Sequence, residues 1–176
     1  METRLVCAVI GRDQPGLVYR LSEAIAGQGG NWLDGHMNSI AGRFAGTVLL
    51  SVEDSKAEAL TQALLALQSQ DLQLLVEPAV RESVAQGTLY DLELMGHDRA
   101  GIVQDISRAL AALKVNIDEL TTEHVSGAMA GGVIFKARAR LDKPEDLPIG
   151  EVQDALEALA NELMVDLHPA QANASR

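Results

Sequence analysis

Two six-residue segments carry the residues best suited to chemistry: Gly11-Arg12-Asp13-Gln14-Pro15-Gly16 and Gly96-His97-Asp98-Arg99-Ala100-Gly101. Each follows an apolar run of strand length and precedes helical spacing, which places it at a helix N-terminus. There, glycines let a ligand reach backbone N–H groups, and the helix dipole favours a carboxylate. Asp13 and Asp98 can either cap the helix or accept a hydrogen bond from an ammonium group. Further on, Asn31 and Asn116 each offer an acceptor and two donors, which suits an α-amino acid bearing both charges. The candidate ligand-binding residues are Gly11, Asp13, Gln14, Pro15, Gly16 and Asn31, with Gly96, Asp98, Arg99, Gly101 and Asn116 in the later segment. The same residue types also serve structure alone, as glycine for a turn, aspartate for a cap and asparagine for the start of a strand.

Other chemistry finds less support. The four histidines are His36, His97, His124 and His168. Only His97, beside Asp98, is suggestive, and no serine or cysteine stands in a nucleophile elbow. His97, His124 and Glu123 are conceivable metal ligands but read better as solvated side chains. Neither a GxGxxG nor a Walker pattern occurs. The lone cysteine, Cys7, rules out an intrachain disulfide and a Cys-rich zinc site. The expectation is a protein without catalytic residues, metal or cofactor; a small ferredoxin-like enzyme is the weaker rival.

Among 176 residues, 14 Lys and Arg face 25 Asp and Glu, a formal charge of −11. Such a surface repels phosphate backbones, so direct nucleic-acid binding is not expected. Apolar residues make up 47% of the chain, enough for packed cores. No signal-peptide pattern opens the sequence, and no run approaches the ~18 apolar residues of a membrane helix. These features point to the cytoplasm, with no membrane partner.

What positions the two segments is a tandem duplication at an offset of 85 residues. Held without gaps, this offset sets Val18 on Val103, Ser22 on Ser107, Asn31 on Asn116, and GRFAGTVLL (42–50) on GAMAGGVIF (127–135). Twelve identities fall between residues 11 and 48. Each copy starts with a strand, Arg4–Ile10 or Thr88–Met95. A helix follows, with Leu17, Leu21, Ala24 and Ile25, or Ile102, Ile106, Ala109 and Leu110, on one face. Asp13 and Asp98 stand where N-caps belong, and Pro15 fits a first turn. A second strand starts at Asn31 or Asn116, turns near Gly42 or Gly127, and returns as Thr47–Val52 or Val133–Arg140. Ser55 and Glu58 read as a capping box for a helix carrying Leu60, Leu64 and Leu67. Its counterpart carries Val152, Leu156, Leu159 and Leu163 after a Pro-containing loop, Asp142–Pro148. Leu72–Val76 and Met164–Leu167 close the copies. The fold class is α+β, two tandem ferredoxin-like βαββαβ sandwiches spanning 1–81 and 88–169, with a linker at 82–87 and a tail at 170–176.

The copies differ on the sheet face turned from the helices. In the second, Asp91 and Glu93 are expected to face Lys136, Arg138 and Arg140 across neighbouring strands. In the first, Val6, Ala8, Leu49 and Ser51 take those places, so that face is expected to be covered by another sheet, within the chain or in a homodimer. Cys7 belongs on the helix side with Leu5 and Val9. A partner surface could be this apolar face, Trp32 or the acidic helices. Because a helix runs back along the sheet, each GxDxxG loop lies at the opposite end of its copy from the asparagine. One copy cannot close both on a small ligand; two copies related by a pseudo-two-fold would set Asp13 against Asn116 and Asp98 against Asn31.

GxDxPG between a first strand and helix, followed by a Gly-x-Asn strand start, resembles the ACT domain, a ligand-sensing module of amino-acid metabolism with a βαββαβ fold. The resemblance covers about 4–81 and 88–169; Ala100 departs from it where many such loops have the proline seen at Pro15. A free-standing acidic pair of these domains looks most like the glycine cleavage system transcriptional repressor family. That resemblance implies an amino-acid ligand, glycine or serine first, and a regulatory protein partner such as a DNA-binding activator. A ligand-independent protein-interaction module is the alternative.

Overall fold

A computed structural model describes residues 1–80, 87–126, 133–159 and 163–170. The chain divides into two compact units, Met1–Glu82 and Ser83–Arg176. The first contains β1 (Glu2–Arg12), α1 (Leu17–Gly27), β2 (Asn31–Ile40), β3 (Arg43–Glu53), a short 3-10 turn (Asp54–Lys56), α2 (Ala57–Leu65) and β4 (Leu72–Pro78). The second repeats the order with β5 (Thr88–His97), α3 (Ile102–Ala112), β6 (Asn116–Ser126), β7 (Val133–Lys143), α4 (Ile149–Glu157) and β8 (Met164–Pro169). Each unit is a four-stranded antiparallel sheet, ordered β2-β3-β1-β4 or β6-β7-β5-β8, with both helices on one face. This is the ferredoxin-like βαββαβ sandwich, twice. Most of linker 82–87, the turn at Gly127 and all but Ala170 of the tail lie outside the described residues.

Period-two alternation builds the cores. Leu5, Cys7 and Val9 of β1 and Val48, Leu50 and Val52 of β3 are buried under Leu17, Leu21 and Ile25 of α1 and Leu60 and Leu64 of α2. The second core sets Leu92, Leu94, Phe135 and Leu141 against Ile102, Ile106, Leu110, Val152 and Leu156. Cys7 takes its expected place at 2% exposure, and burial pushes its thiol up to about 11.

Strand pairing corrects the gapless alignment of the two copies. Gly11 pairs with Phe44, whereas Gly96 pairs with Phe135. The third strands are therefore related by 91 residues, Phe44 to Phe135, while the preceding elements keep 85. The second copy's hairpin is longer by the difference of six. Of the twelve identities, the four at Gly42, Ala45, Gly46 and Val48 are coincidences of small-residue composition.

Three local expectations also change. No side chain caps α1 or α3; the N-cap residues are Gly16 and Gly101, with φ of 87° and 85°, and Pro15 precedes the helix. Asp13 and Asp98 stand three residues before those glycines, too early to reach the first-turn N–H groups. The Ser55–Glu58 box does not form either, because the 3-10 turn at Asp54–Lys56 leads into α2 and Lys56 takes the cap position without a side-chain bond. Finally, β7 runs on to Lys143, into the expected loop. The Lys143 ammonium is buried and donates to the carbonyls of Pro144 and Leu147, both at 2.6 Å, fixing the start of that loop.

Candidate functional site

In each unit the GxDxxG segment crosses from the end of the central strand to the start of a helix. Gly11 is buried, and a Cβ there would come within 2.7 Å of the Asp71 carbonyl and 2.9 Å of Leu72. Gly16 has open space around its would-be Cβ; its requirement is the left-handed backbone at the helix start. Arg12 through Gly16 are exposed. The uncapped first turn of α1 thus presents N–H groups to solvent beside a carboxylate.

That carboxylate is held from outside the segment. Asp13 Oδ2 accepts from Ser39 Oγ at 2.6 Å, and the Asp13 backbone N–H donates to the Gly42 carbonyl at 3.0 Å. Ser39 lies near the end of β2, which the hairpin register brings level with Arg12. The second unit repeats the device with different chemistry. Asp98 Oδ1 lies 3.5 Å from His124 Nε2, and the Asp98 N–H donates to the Val133 carbonyl at 3.0 Å. His124 sits 85 residues after Ser39, the same position in β6. Sequence reasoning missed Ser39 and considered His124 only as a metal ligand; the signal was a polar residue at matched places near each hairpin. His97 and Glu123 join no metal cluster among the described residues.

Arg99 is engaged, its Nη1 donating to Asp105 Oδ2 at 2.7 Å. That bond first, with the charges of Arg99 and Arg108, holds the Asp105 carboxyl below its ordinary range. Gln14 and Pro15 are exposed on their loop.

The asparagines lie apart from the loops within each unit. Asn31 pairs with Ser51, and Ser51 with Arg4, eight residues along β1 from Arg12 or roughly 27 Å of strand. Asn116 pairs with Asp142, which lies opposite Leu89, and its Nδ2 donates to Asp118 Oδ1 at 2.8 Å. Neither asparagine reaches its own unit's loop. Trp32, a candidate contact residue, instead packs partly buried on the first core, its indole within 3.2 Å of a would-be Cβ on Gly35.

Residues 3–77 match the family model of the ACT domain. The first unit is an ACT domain. The second has the same topology, and the chain is a tandem of two ACT-type folds. No curated protein matches the chain. Among solved structures, an unknown protein from Galdieria sulphuraria is similar, with a TM-score of 0.86 and 27% identity, over 97% of this chain and 100% of that one. A "putative glycine cleavage system transcriptional repressor" shares the fold, with a TM-score of 0.70 and 16% identity, over 97% of this chain and 99% of that one. No helix among the described residues is long and apolar enough to cross a membrane.

Proposed function

We propose that this chain is a non-catalytic regulatory protein that senses a small amino acid, glycine or serine first, and acts on transcription of glycine cleavage functions through a protein partner such as a DNA-binding activator. The observation that carries the reading is the pair of ACT loops, each with an uncapped helix N-terminus beside an aspartate tethered from the edge strand, β2 or β6. The N–H groups suit the ligand's carboxylate and the aspartate its ammonium. The structure named for a glycine cleavage repressor, similar in fold, supports the transcriptional side. A net charge of −11 supports acting on a protein rather than on DNA. In this reading neither loop uses its own unit's asparagine, which lies at the far end of the sheet.

A thermal-shift screen of the amino acids tests it. A ligand at 100 times its Kd stabilises by about 2.7 kcal/mol if it binds only the native state. Asp13→Ala should weaken binding at one site, about tenfold or more, and leave the second. If no amino acid raises Tm at any attainable concentration, the sensor reading fails, and the ligand-independent interaction module replaces it.

A further inference from the structure

The sheet face of the first unit turned from its helices is apolar in the middle and oppositely charged at its two ends. Alternation along β1 and β3 puts Val6, Ala8, Ile10 and Leu49 on that face, and Leu75 of β4 lies opposite Ala8. Ile10 and Leu75 are 49% and 58% exposed. At one end Glu2 is the cross-strand partner of Glu53; at the other, ten residues along, Arg12 is the partner of Arg43. None of these four residues joins an ion pair among the described residues. Like charges directly opposite on neighbouring strands repel, so each end is unfavourable in an isolated unit. Arg4, Asp34 and Glu77 flank the middle with mixed sign, and the Met1 ammonium faces Asp54 at 4.0 Å.

We infer that this face is a self-complementary interface for a second copy of the chain, packed sheet to sheet with the two β1 strands antiparallel. A two-fold axis perpendicular to the strands lays the Arg12–Arg43 end of one copy over the Glu2–Glu53 end of the other, twice, with the apolar middles in contact. The parallel arrangement stacks arginine on arginine and glutamate on glutamate, so the charges also fix the direction. The second unit offers no such face: Asp91, Glu93 and Arg140 occupy the places of Val6, Ala8 and Leu49.

Charge-reversed chains test the pairing by analytical ultracentrifugation over a dilution series. Wild type should reach twice the 18.7 kDa chain mass and dissociate more readily as salt is raised. Arg12→Glu with Arg43→Glu gives a face acidic at both ends, and Glu2→Arg with Glu53→Arg one basic at both ends. Each double variant alone should dimerise at least about tenfold more weakly, while an equimolar mixture should return to wild-type affinity as a heterodimer. Ala8→Glu should leave a folded monomer. Wild type that stays monomeric at every concentration overturns the proposal, as it does if another part of the chain covers this face. So does a mixture no tighter than its components. Should either double variant fail to fold, the salt dependence of wild type still decides, since a dimer indifferent to salt is not held by these charges.

Discussion

The same backbone positions in the two units carry opposite solutions to one problem, an open sheet face. In the second unit Arg140 Nε donates to Asp91 Oδ1 at 3.1 Å and Arg138 Nε lies 3.4 Å from Glu93 Oε1, as the alternation of charges predicts. Glu119 adds a third carboxylate, 3.9 Å from Arg140. The hydrogen bond that Arg140 donates to Asp91 leads in raising the guanidinium above its ordinary range. On the β7 side Asp91 and Glu93 each meet an arginine, which also offsets the like charge that Glu93 meets in Asp166 of β8, so the face is at ease in water. In the first unit the centre is apolar, and at each end of β1 a charge faces its own kind, Glu2 on Glu53 and Arg12 on Arg43. Meanwhile the helix side repeats its character position by position, Leu21 for Ile106, Ile25 for Leu110, Leu50 for Leu141. Packing at near-crystalline density ties down the buried face. The open face is free to change, and in this duplication the two copies carry different ones.

The largest effect that would break the equivalence of the units lies on their second and third strands. Gly46 pairs with Val9 and Met37, and its counterpart Ala137 pairs with Leu94 and Thr122. A Cβ on Gly46 would overlap the His36 carbonyl oxygen and approach Met37 Cα to 2.7 Å. Gly46→Ala should therefore cost about 3 kcal/mol or more, as backbone must move. The mirror change, Ala137→Gly, should cost only about 1 kcal/mol. The chain's single tryptophan, Trp32, packs on the first core, so its fluorescence in urea follows that unit alone. Calorimetry reads the second unit as well, and equal, small losses for both variants would show that the two sheets pair with the same tolerance.

Gly46 also marks the limit of what sequence could tell. Alternation in β1 and β5 and helical spacing in α1 and α3 revealed the cores, because burial writes a period into local sequence. The charged face of the second unit was legible for the same reason. The shift of six in the third strands was not: Gly, Ala and Val recur in both hairpins, and a gapless offset found false matches in them. Nor was the fate of Asp13. An aspartate near a helix start reads as a cap, yet its partner, Ser39, is 26 residues away and arrives only through the hairpin. The separation of Asn31 from the loop, by contrast, followed from topology alone.

The exchange of Ser39 for His124 gives the next, smaller difference. The Ser39–Asp13 bond has no titrating hydroxyl in the ordinary range, so Ser39→Ala should loosen that loop by about 1 kcal/mol at any pH from about 5 to 8. The His124–Asp98 contact gains charge only when the imidazole is protonated. Solvent exposure keeps its contribution at or below about 1 kcal/mol. Amide exchange of residues 97–102 should be modestly faster in His124→Ala than in wild type, and exchange of residues 12–17 should be faster by more in Ser39→Ala. An exchange rate unchanged in His124→Ala would mean that this contact does not hold the second loop.

The smallest effect concerns a pair that one unit has and the other lacks. Arg99 and Asp105 join the second loop to the first turn of its helix at 2.7 Å; the matched positions in the first unit are Gln14 and Arg20, which cannot make that ion pair. Because Asp105 is lowered in the folded state, chiefly by the Arg99 bond, its contribution is present above the ordinary aspartate range and lost as pH falls through the depressed value. Arg99→Gln should move the Asp105 midpoint upward in a carboxyl-carbon NMR titration. It should also lower Tm near pH 7 by no more than about two degrees, a difference that closes at acid pH once Asp105 is protonated in both chains. Arg108, 2.9 Å away, continues to hold the carboxyl, so the midpoint should stop short of the ordinary range. Full return to that range would make Arg99 the sole cause of the shift; no movement would assign it to Arg108.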